Sequence, residues 1–520
     1  MQTQTNLLWQ KPARPTPSRD SNIPPARPSC SRRTCAPQWI AAVADQSPEA
    51  VAMMHASASL TYAALDARAN QLAGYLRALG VGPEVAVAIC LERSFDSVIA
   101  ALAVWKAGGA YLPLDPAWPA ERRESILEDA QASVLIARNL TSSRARYNVD
   151  LDHDAGAIAR EMSVFTATAT RREHLACILY DAAAAGRLAG VELTHGNLLN
   201  LIFWYRRAFA ITPSDRASHL GLSFDAALTD LWPYLTAGAS VAIAEETTGA
   251  SPDLLRDWIV DRGITAALIP AALAEPMLSQ PWPASTALRY LFTGAGALHR
   301  DPAGLPFRIV HNYGSIECTG AATSCVVEPR DPAEPPSIGQ PIANTSIYVL
   351  DENHAPVTPG VEGEIYIGGP SVARGYRNRP DLTAETFFEN PFSLAPGARM
   401  YRTGDLGCVL PDGKIAVHRR IEYRAPETAL QRNVAGILAG LLHLERVGLD
   451  DNFFQLGVDS LLAAHLIVRL REGFGVELSP RDLFQASTAA TLALRIEQLL
   501  IARLDSLSDA EADRLLAQLQ

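Results

Sequence analysis

Lysine is nearly missing from this chain: Lys11, Lys106 and Lys414 are the only three among 45 basic residues. Any step that needs a flexible ammonium must draw on those positions, because a planar arginine is not an equivalent point charge. Positive charge as a whole is also in deficit, since 56 acidic side chains leave a net charge of −11. Nucleic-acid and anionic-membrane surfaces demand clustered Lys and Arg, so this balance argues against both as partners. No apolar run reaches the roughly 18 residues that a membrane-spanning helix needs. The seven cysteines, Cys30, Cys35, Cys90, Cys177, Cys318, Cys325 and Cys408, are scattered and form no CxxC pair. That spacing excludes a disulfide framework or a zinc ribbon and reads as reduced, mostly buried thiols of a cytoplasmic protein.

What is present is enough for about three domains: 520 residues, 48% of them hydrophobic. Residues 1–35 are rich in Pro, Ser and Arg, lack a signal-peptide core and read as a disordered leader. From Trp39 the pattern turns globular. Tyr62, Leu65, Leu72, Leu76 and Leu79 mark one face of a helix that Gly80 ends, and EVAVAIC (84–90), SVLIA (133–137), ACILY (176–180), SVAIA (240–244), TAALIP (265–270) and RYLFTG (289–294) read as buried strands between helices. Such alternation predicts an α/β core over 36–340, with largely parallel sheets covered by helices. Short strands separated by Gly and Pro then predict a small β-rich subdomain over 341–424, including a hairpin around PDG. From 425 to 504 only helical stripes remain, Leu430, Val434, Ile437, Leu438, Leu441 and Leu442 in one and Leu492, Ile496, Leu499 and Leu500 in another, which predicts a small all-α four-helix bundle. Residues 505–520 form a tail in which Ser508 and Glu511 make a capping box before Leu515, Leu516 and Leu519.

Within the bundle, DNFFQLGVDSLLA (451–463) places Ser460 where Leu462, Leu466 and Leu470 begin to recur at one-turn spacing. Two readings follow. Ser460 is an N-cap contributing about 1 kcal/mol, or it is an exposed hydroxyl at a helix N-terminus, where the free N–H groups and the dipole tolerate a phosphate.

Motifs along the chain decide between them. LTYAALDARANQLAGYLRALGV (60–81), KAGGAYLPLDP (106–116), FDAALTDLWPYLTAGA (224–239), GEIYIGGPSVARGYRNRPDLTAETF (363–387) and YRTGDL (401–406) resemble, in order, the motifs of adenylation domains in nonribosomal peptide synthetases. DNFFQLGVDSLL is similar to the attachment motif of the peptidyl carrier domains that follow them. The resemblance spans about residues 36–504. It implies 4′-phosphopantetheine on Ser460, adenine stacking by Tyr313, a Mg²⁺ carboxylate at Glu317, a ribose-binding carboxylate at Asp405, and pairing of Asp225 with a substrate α-amino group; Asp225 also reads as an ordinary helix cap. Partners implied are a phosphopantetheinyl transferase and condensation or other synthetase modules. The chain has neither an HHxxxDG motif nor a GxSxG elbow, so condensation and product release are not its own.

Three departures bear on ATP and Mg²⁺. The family's phosphate loop, YTSGSTGxPKG, reads YDAAAAGRLAG (180–190) here: Asp181 introduces a carboxylate, Ala182 to Ala185 lack the hydroxyl donors, and Ala189 replaces the lysine. Losing several hydrogen bonds at about 1–3 kcal/mol each costs orders of magnitude in ATP handling. Ile316 replaces a threonine in HNYGSIE. Last, Arg419-Arg420-Ile421-Glu422 runs almost directly into APETALQRNVAGIL, with Ile421 at the expected hinge aspartate. The mobile subdomain that carries the catalytic lysine, about a hundred residues and so an ordinary small domain, is missing. These losses predict a carrier loaded by an adenylating enzyme acting in trans. The alternatives are an active ligase whose missing subdomain comes from a partner, and a non-catalytic docking platform.

Overall fold

The structure is a computed structural model, which describes residues 35–139, 143–164, 170–180, 189–220, 226–245, 247–248, 251–294, 303–328, 337–420, 426–442, 447–449, 451, 453, 458, 460–479, 482–483 and 486–505. The leader, the alanine-rich loop at 181–188, Asp225, the junction at 421–425 and the tail from 506 lie outside them.

Strands and helices alternate as the hydrophobic pattern predicts. Among the described residues, seven strands form one sheet in the order Gly375–Tyr376, Gly190–Thr194, Leu175–Tyr180, Ala110–Pro113, Ala86–Cys90, Val134–Ala137 and Tyr147–Asp150. From Leu175–Tyr180 to Tyr147–Asp150 it is parallel; the first two strands run antiparallel to their neighbours. Fourteen further strands form a second sheet, parallel from Arg308–Tyr313 through Tyr290–Thr293, Ala266–Leu268, Arg216–His219 and Ser240–Ile243 to Val51–His55.

Helix Phe95–Ala107 shows why the core is uninterrupted. Every residue from Val98 to Ala107 is buried, and Gly108, at φ 98°, ends the helix in the left-handed conformation that glycine adopts freely. Burial on all sides includes Lys106, whose Nζ lies 2.6 Å from Asp66 Oδ1 and 2.7 Å from Asn70 Oδ1. Burial lowers its pKa, and the Asp66 carboxylate opposes that shift. A buried ammonium persists only with such partners.

The later short strands are not a sheet of their own. Strand Ser337–Pro341 pairs with Thr323–Val326 on one side and with Ile415–Arg420 on the other, so the large sheet continues into Arg399–Val409, Gly363–Gly368 and Ser346–Leu350. That strand straddles the boundary expected at 340. Its Gly339 sits at φ 84°, and a Cβ there would meet Ser324 O at 2.2 Å. Texture changes at this point because the sheet turns antiparallel, while the hydrogen-bond ladder runs on.

The carrier region has a separate core. Helices Ala429–Leu442, Ser460–Phe474 and Ala489–Asp505 pack Val434, Leu438, Leu466, Leu470, Leu492 and Ile496 around Phe453, all fully buried. Each such side chain contributes about 1.5–3 kcal/mol. Between the second and third helices, Asp482 accepts from the Ser479 amide (2.8 Å) and hydroxyl (2.6 Å) and pairs with Arg495 Nε at 2.7 Å.

Burial alone would raise the Asp482 carboxyl, but Ser479 and Arg495 together outweigh it and hold the pKa below the usual range. A depressed carboxylate stabilises the fold above its unfolded pKa of about 3.9 and loses that contribution as pH falls through the lower folded value. The Tm of the carrier transition is therefore expected to drop on acidification below about pH 4. Asp482→Asn should lower Tm at pH 7 and flatten that acid dependence, both measured by circular dichroism.

Candidate functional site

Strand Arg308–Tyr313 leads out of the large sheet into a tight loop, Gly314-Ser315, and a single 3-10 turn, Ile316–Cys318. The Ser315 carbonyl accepts from the Cys318 amide at 3.1 Å and the Gly320 amide at 2.8 Å, and the Cys318 thiol donates back to it at 3.2 Å. Thr319 then takes φ 63°, and its hydroxyl donates to Ser371 O at 2.6 Å. The loop is over-determined, which fixes Glu317 on its turn and Tyr313 at its root; with Asp405 these are the three residues that the family resemblance singled out on this side.

Two of them meet directly. The Tyr313 hydroxyl donates to Asp405 Oδ2 on strand Arg399–Val409. Burial first, and then the adjoining Asp405 carboxylate, push the Tyr313 phenol well above its ordinary pKa, so it remains a donor at neutral pH. The third, Glu317, accepts from Tyr376 Oη at 2.9 Å. Ser315 Oγ lies 3.4 Å from the buried Tyr401 hydroxyl, whose pKa burial and the nearby Glu317 likewise raise. Ile316 packs its apolar side chain against the core, so no hydroxyl stands at that turn position.

Tyr376 was not among the residues read from the sequence. Its motif, GYRNRP, was visible, but its partner lies 59 positions away, and neighbouring residues say nothing about which carboxylate the phenol meets. It belongs to a segment, Pro370–Arg379, that joins the two sheets. Asn197 Nδ2 donates to Pro370 O (2.7 Å) and Val372 O (2.9 Å), the Ala373 amide donates to Glu317 O (2.8 Å), and the Arg374 and Arg377 amides donate to Glu192 O (2.9 Å) and Gly190 O (2.6 Å). Arg374 pairs with Glu84, Arg377 with Glu192 at 3.0 Å, and Arg379 with Asp129 at 2.6 Å; Asp129 also accepts from the Tyr180 hydroxyl at 2.6 Å. Tyr180 and Ala189 are the two described residues that flank the alanine-rich loop. Both rims of that loop are therefore tied to a rigid frame. Ala189, in the position of the family's lysine, is itself only 6% exposed.

Beside helix Ala226–Asp230, which follows Asp225, the side chains of Tyr205, Thr229, Asp230, Tyr234, Leu268 and Phe292 close around a crevice too narrow to admit a water molecule. Asp230 is paired with His219 Nδ1 at 3.0 Å, and both are buried. This buried pair also escaped the sequence reading, because its members are 11 positions apart on different elements.

Among the described residues no group of three or more His, Cys, Asp or Glu could hold a metal ion unaided. A Mg²⁺ ion would take the one carboxylate of Glu317 and complete its shell with phosphate and water oxygens, which is this ion's usual habit. Ala189 and Ile316 offer no charged or hydroxyl side chain to a phosphate, whereas Tyr313 and Asp405, to which the resemblance assigns the nucleoside, stand together.

At the other candidate site, helix Ser460–Phe474 begins on Ser460. Val458 and Phe453 are buried just before it, and the Val458 amide donates to Phe453 O at 3.0 Å, so the approach to the helix is anchored to the bundle core.

The tight turn at Gly314 can be probed. A Cβ there would stand 2.9 Å from the Ala321 Cα and the Ala322 amide nitrogen. Gly314→Ala is expected to cost about 1–3 kcal/mol by overpacking, measured as a lower Tm of the large domain, with the carrier transition unmoved.

Two family models match the chain: AMP-binding enzyme over residues 40–377 and phosphopantetheine attachment site over 432–496. The chain is 37% identical to one of the polypeptides of linear gramicidin synthase from Brevibacillus parabrevis, with 88% of this chain and 7% of the relative aligned. It is 31% identical to tyrocidine synthase 2 of the same organism, over 87% of this chain and 16% of that one. It thus spans about a tenth of the length of these curated relatives. A crystal structure of the nonribosomal peptide synthetase FmoA3 superposes with a TM-score of 0.69 at 28% identity, covering 91% of this chain and 52% of the other. No helix among the described residues is long and apolar enough to cross a membrane. With its adenylation-type core and a domain that takes phosphopantetheine covalently, the chain belongs to the AMP-binding enzyme family and is a nonribosomal peptide synthetase component.

Proposed function

We propose that the chain acts as a carrier, with the arm on Ser460, and that its adenylation-like core (36–424) no longer activates a substrate, so that a separate adenylating enzyme loads the carrier (425–504) in trans. One observation carries the second half: Ala189 stands at the position of the family's loop lysine, and the two lysines among the described residues are placed elsewhere. Lys106 is locked against Asp66 and Asn70 inside the core, and Lys414 pairs at 2.9 Å with Asp412 in the hairpin turn. The alanine-rich loop supports the same conclusion, and so does the length of the alignment. About 458 residues of this chain, 88% of it, are spread over 570 aligned positions, so about 110 positions of the gramicidin synthase polypeptide face no residue here. Only eight residues, 421–428, separate the last core strand from the first carrier helix.

By likeness to gramicidin and tyrocidine synthases, the product is a secondary-metabolite peptide made in the cytoplasm. The partners are then a phosphopantetheinyl transferase, a loading enzyme and condensation modules. The Tyr313–Asp405 and Glu317 arrangement favours one second reading, an active ligase completed by a partner's subdomain, with Asp225 pairing the substrate amine. A core that serves only to dock the carrier beside other modules is the third.

Two measurements test the proposal. Incubated with a phosphopantetheinyl transferase and coenzyme A, the protein should gain the mass of one arm and Ser460→Ala none; an unmodified wild type overturns the carrier role. Amino-acid-dependent ATP–pyrophosphate exchange by the chain alone should stay at background for every amino acid, and a clear signal with any of them would show a working core.

A further inference from the structure

The hydroxyl that holds Glu317 comes from an unexpected direction. Glu317 emerges from the large sheet, just after strand Arg308–Tyr313, whereas Tyr376 lies on the two-residue strand at the edge of the small sheet. Tyr376 is paired there with Val191, and Gly375 with Glu192, on the strand that leaves the alanine-rich loop. The phenol is well fixed. The Tyr376 amide donates to Thr383 Oγ1 at 2.9 Å, and its ring packs edge-on against Phe387 at 5.4 Å between centroids. The Ala373 amide, three residues upstream, holds the Glu317 carbonyl at 2.8 Å. Backbone and side chain of Glu317 are thus both gripped by the 373–376 segment.

We propose that Tyr376 is a positioning residue: by binding Oε1 it orients the Glu317 carboxylate and leaves the second oxygen for a divalent cation carried in with a nucleotide. The inference rests on Glu317 being the metal carboxylate, and it holds whether or not the core completes adenylation. A carboxylate pinned through one oxygen has a single plane and offers one oxygen to the ion, which suits a small octahedral cation that takes its other ligands from phosphate and water. Because the Arg374 and Arg377 amides on either side of Tyr376 hydrogen-bond to the strand leaving the loop, the position of that strand sets the position of the carboxylate.

The test compares ATP affinity in excess Mn²⁺ with ATP affinity in EDTA, by calorimetry on the full chain. Wild type should bind more tightly with Mn²⁺. Tyr376→Phe keeps the ring packed on Phe387 and removes only the hydroxyl; it should cut the Mn²⁺ advantage about tenfold, the low end for an outer-shell partner of a metal ligand, and leave the EDTA value unchanged. In a Glu317→Gln background, Tyr376→Phe should have no further effect on the ratio. An unchanged ratio in Tyr376→Phe, a further fall in the Glu317→Gln background, or a wild type with no Mn²⁺ advantage at any ATP concentration would each overturn the role. Mass gain at Ser460 and pyrophosphate exchange read the proposed function separately, so the two can fail independently.

Discussion

The structure of the large domain depends on the hydrogen-bonded seam between its two sheets, the segment Pro370–Arg379. Among the described residues the two sheets share an apolar core but no ladder, and this segment adds the hydrogen bonds that register one against the other. It uses backbone groups for alignment (Ala373 to Glu317, Arg374 to Glu192, Arg377 to Gly190) and arginines for reach (Glu84, Glu192, Asp129). Of these pairs only Arg374–Glu84 is open to solvent, where an ion pair contributes up to about 1 kcal/mol; Arg377–Glu192 is mostly buried. Here they are tied to fixed main-chain bonds, and their effect is geometric: they set where the loop rims, the Glu317 turn and Asp405 stand with respect to each other.

On the proposed reading, in which the core no longer activates a substrate, that frame accounts for the retained fold. The hydroxyls and lysine missing from 180–190 are groups that would face a ligand, and the bonds at Tyr180 and Gly190 that anchor its rims are present. Tyr313, Glu317 and Asp405 are woven into the frame by Asp405, Tyr376 and the Ala373 amide, so they have structural partners apart from any nucleotide. The carrier bundle has its own buried core, separate from that of the large domain.

Much of the architecture was legible in the sequence because burial leaves a periodic trace. Helix Tyr62–Ala78 and six strands of the parallel core, Ala86–Cys90, Val134–Ala137, Leu175–Tyr180, Ser240–Ile243, Ala266–Leu268 and Tyr290–Thr293, stand where their apolar spacing placed them, within two residues at the ends, and the carrier stripes lie inside Ala429–Leu442 and Ala489–Asp505. The continuation of the large sheet through Ser337–Pro341 was not legible. A five-residue strand with Gly339 and Pro341 has no alternation to follow, and its two neighbours come from 323–326 and 415–420. Tyr376 and the His219–Asp230 pair escaped for a related reason: a hydrogen bond across the fold has no local signature.

The sequence by itself determined which chemical groups are available: one serine at the start of a helix in an attachment motif, three lysines in all, alanines where phosphate donors would be, and a short run between core and carrier. Those are properties of composition and order, which folding does not alter. The tertiary structure alone decided what those groups can reach. It buried Lys106 against Asp66 and brought a tyrosine from the edge of one sheet to a glutamate leaving the other, because side chains far apart in the chain meet only once the sheets are packed.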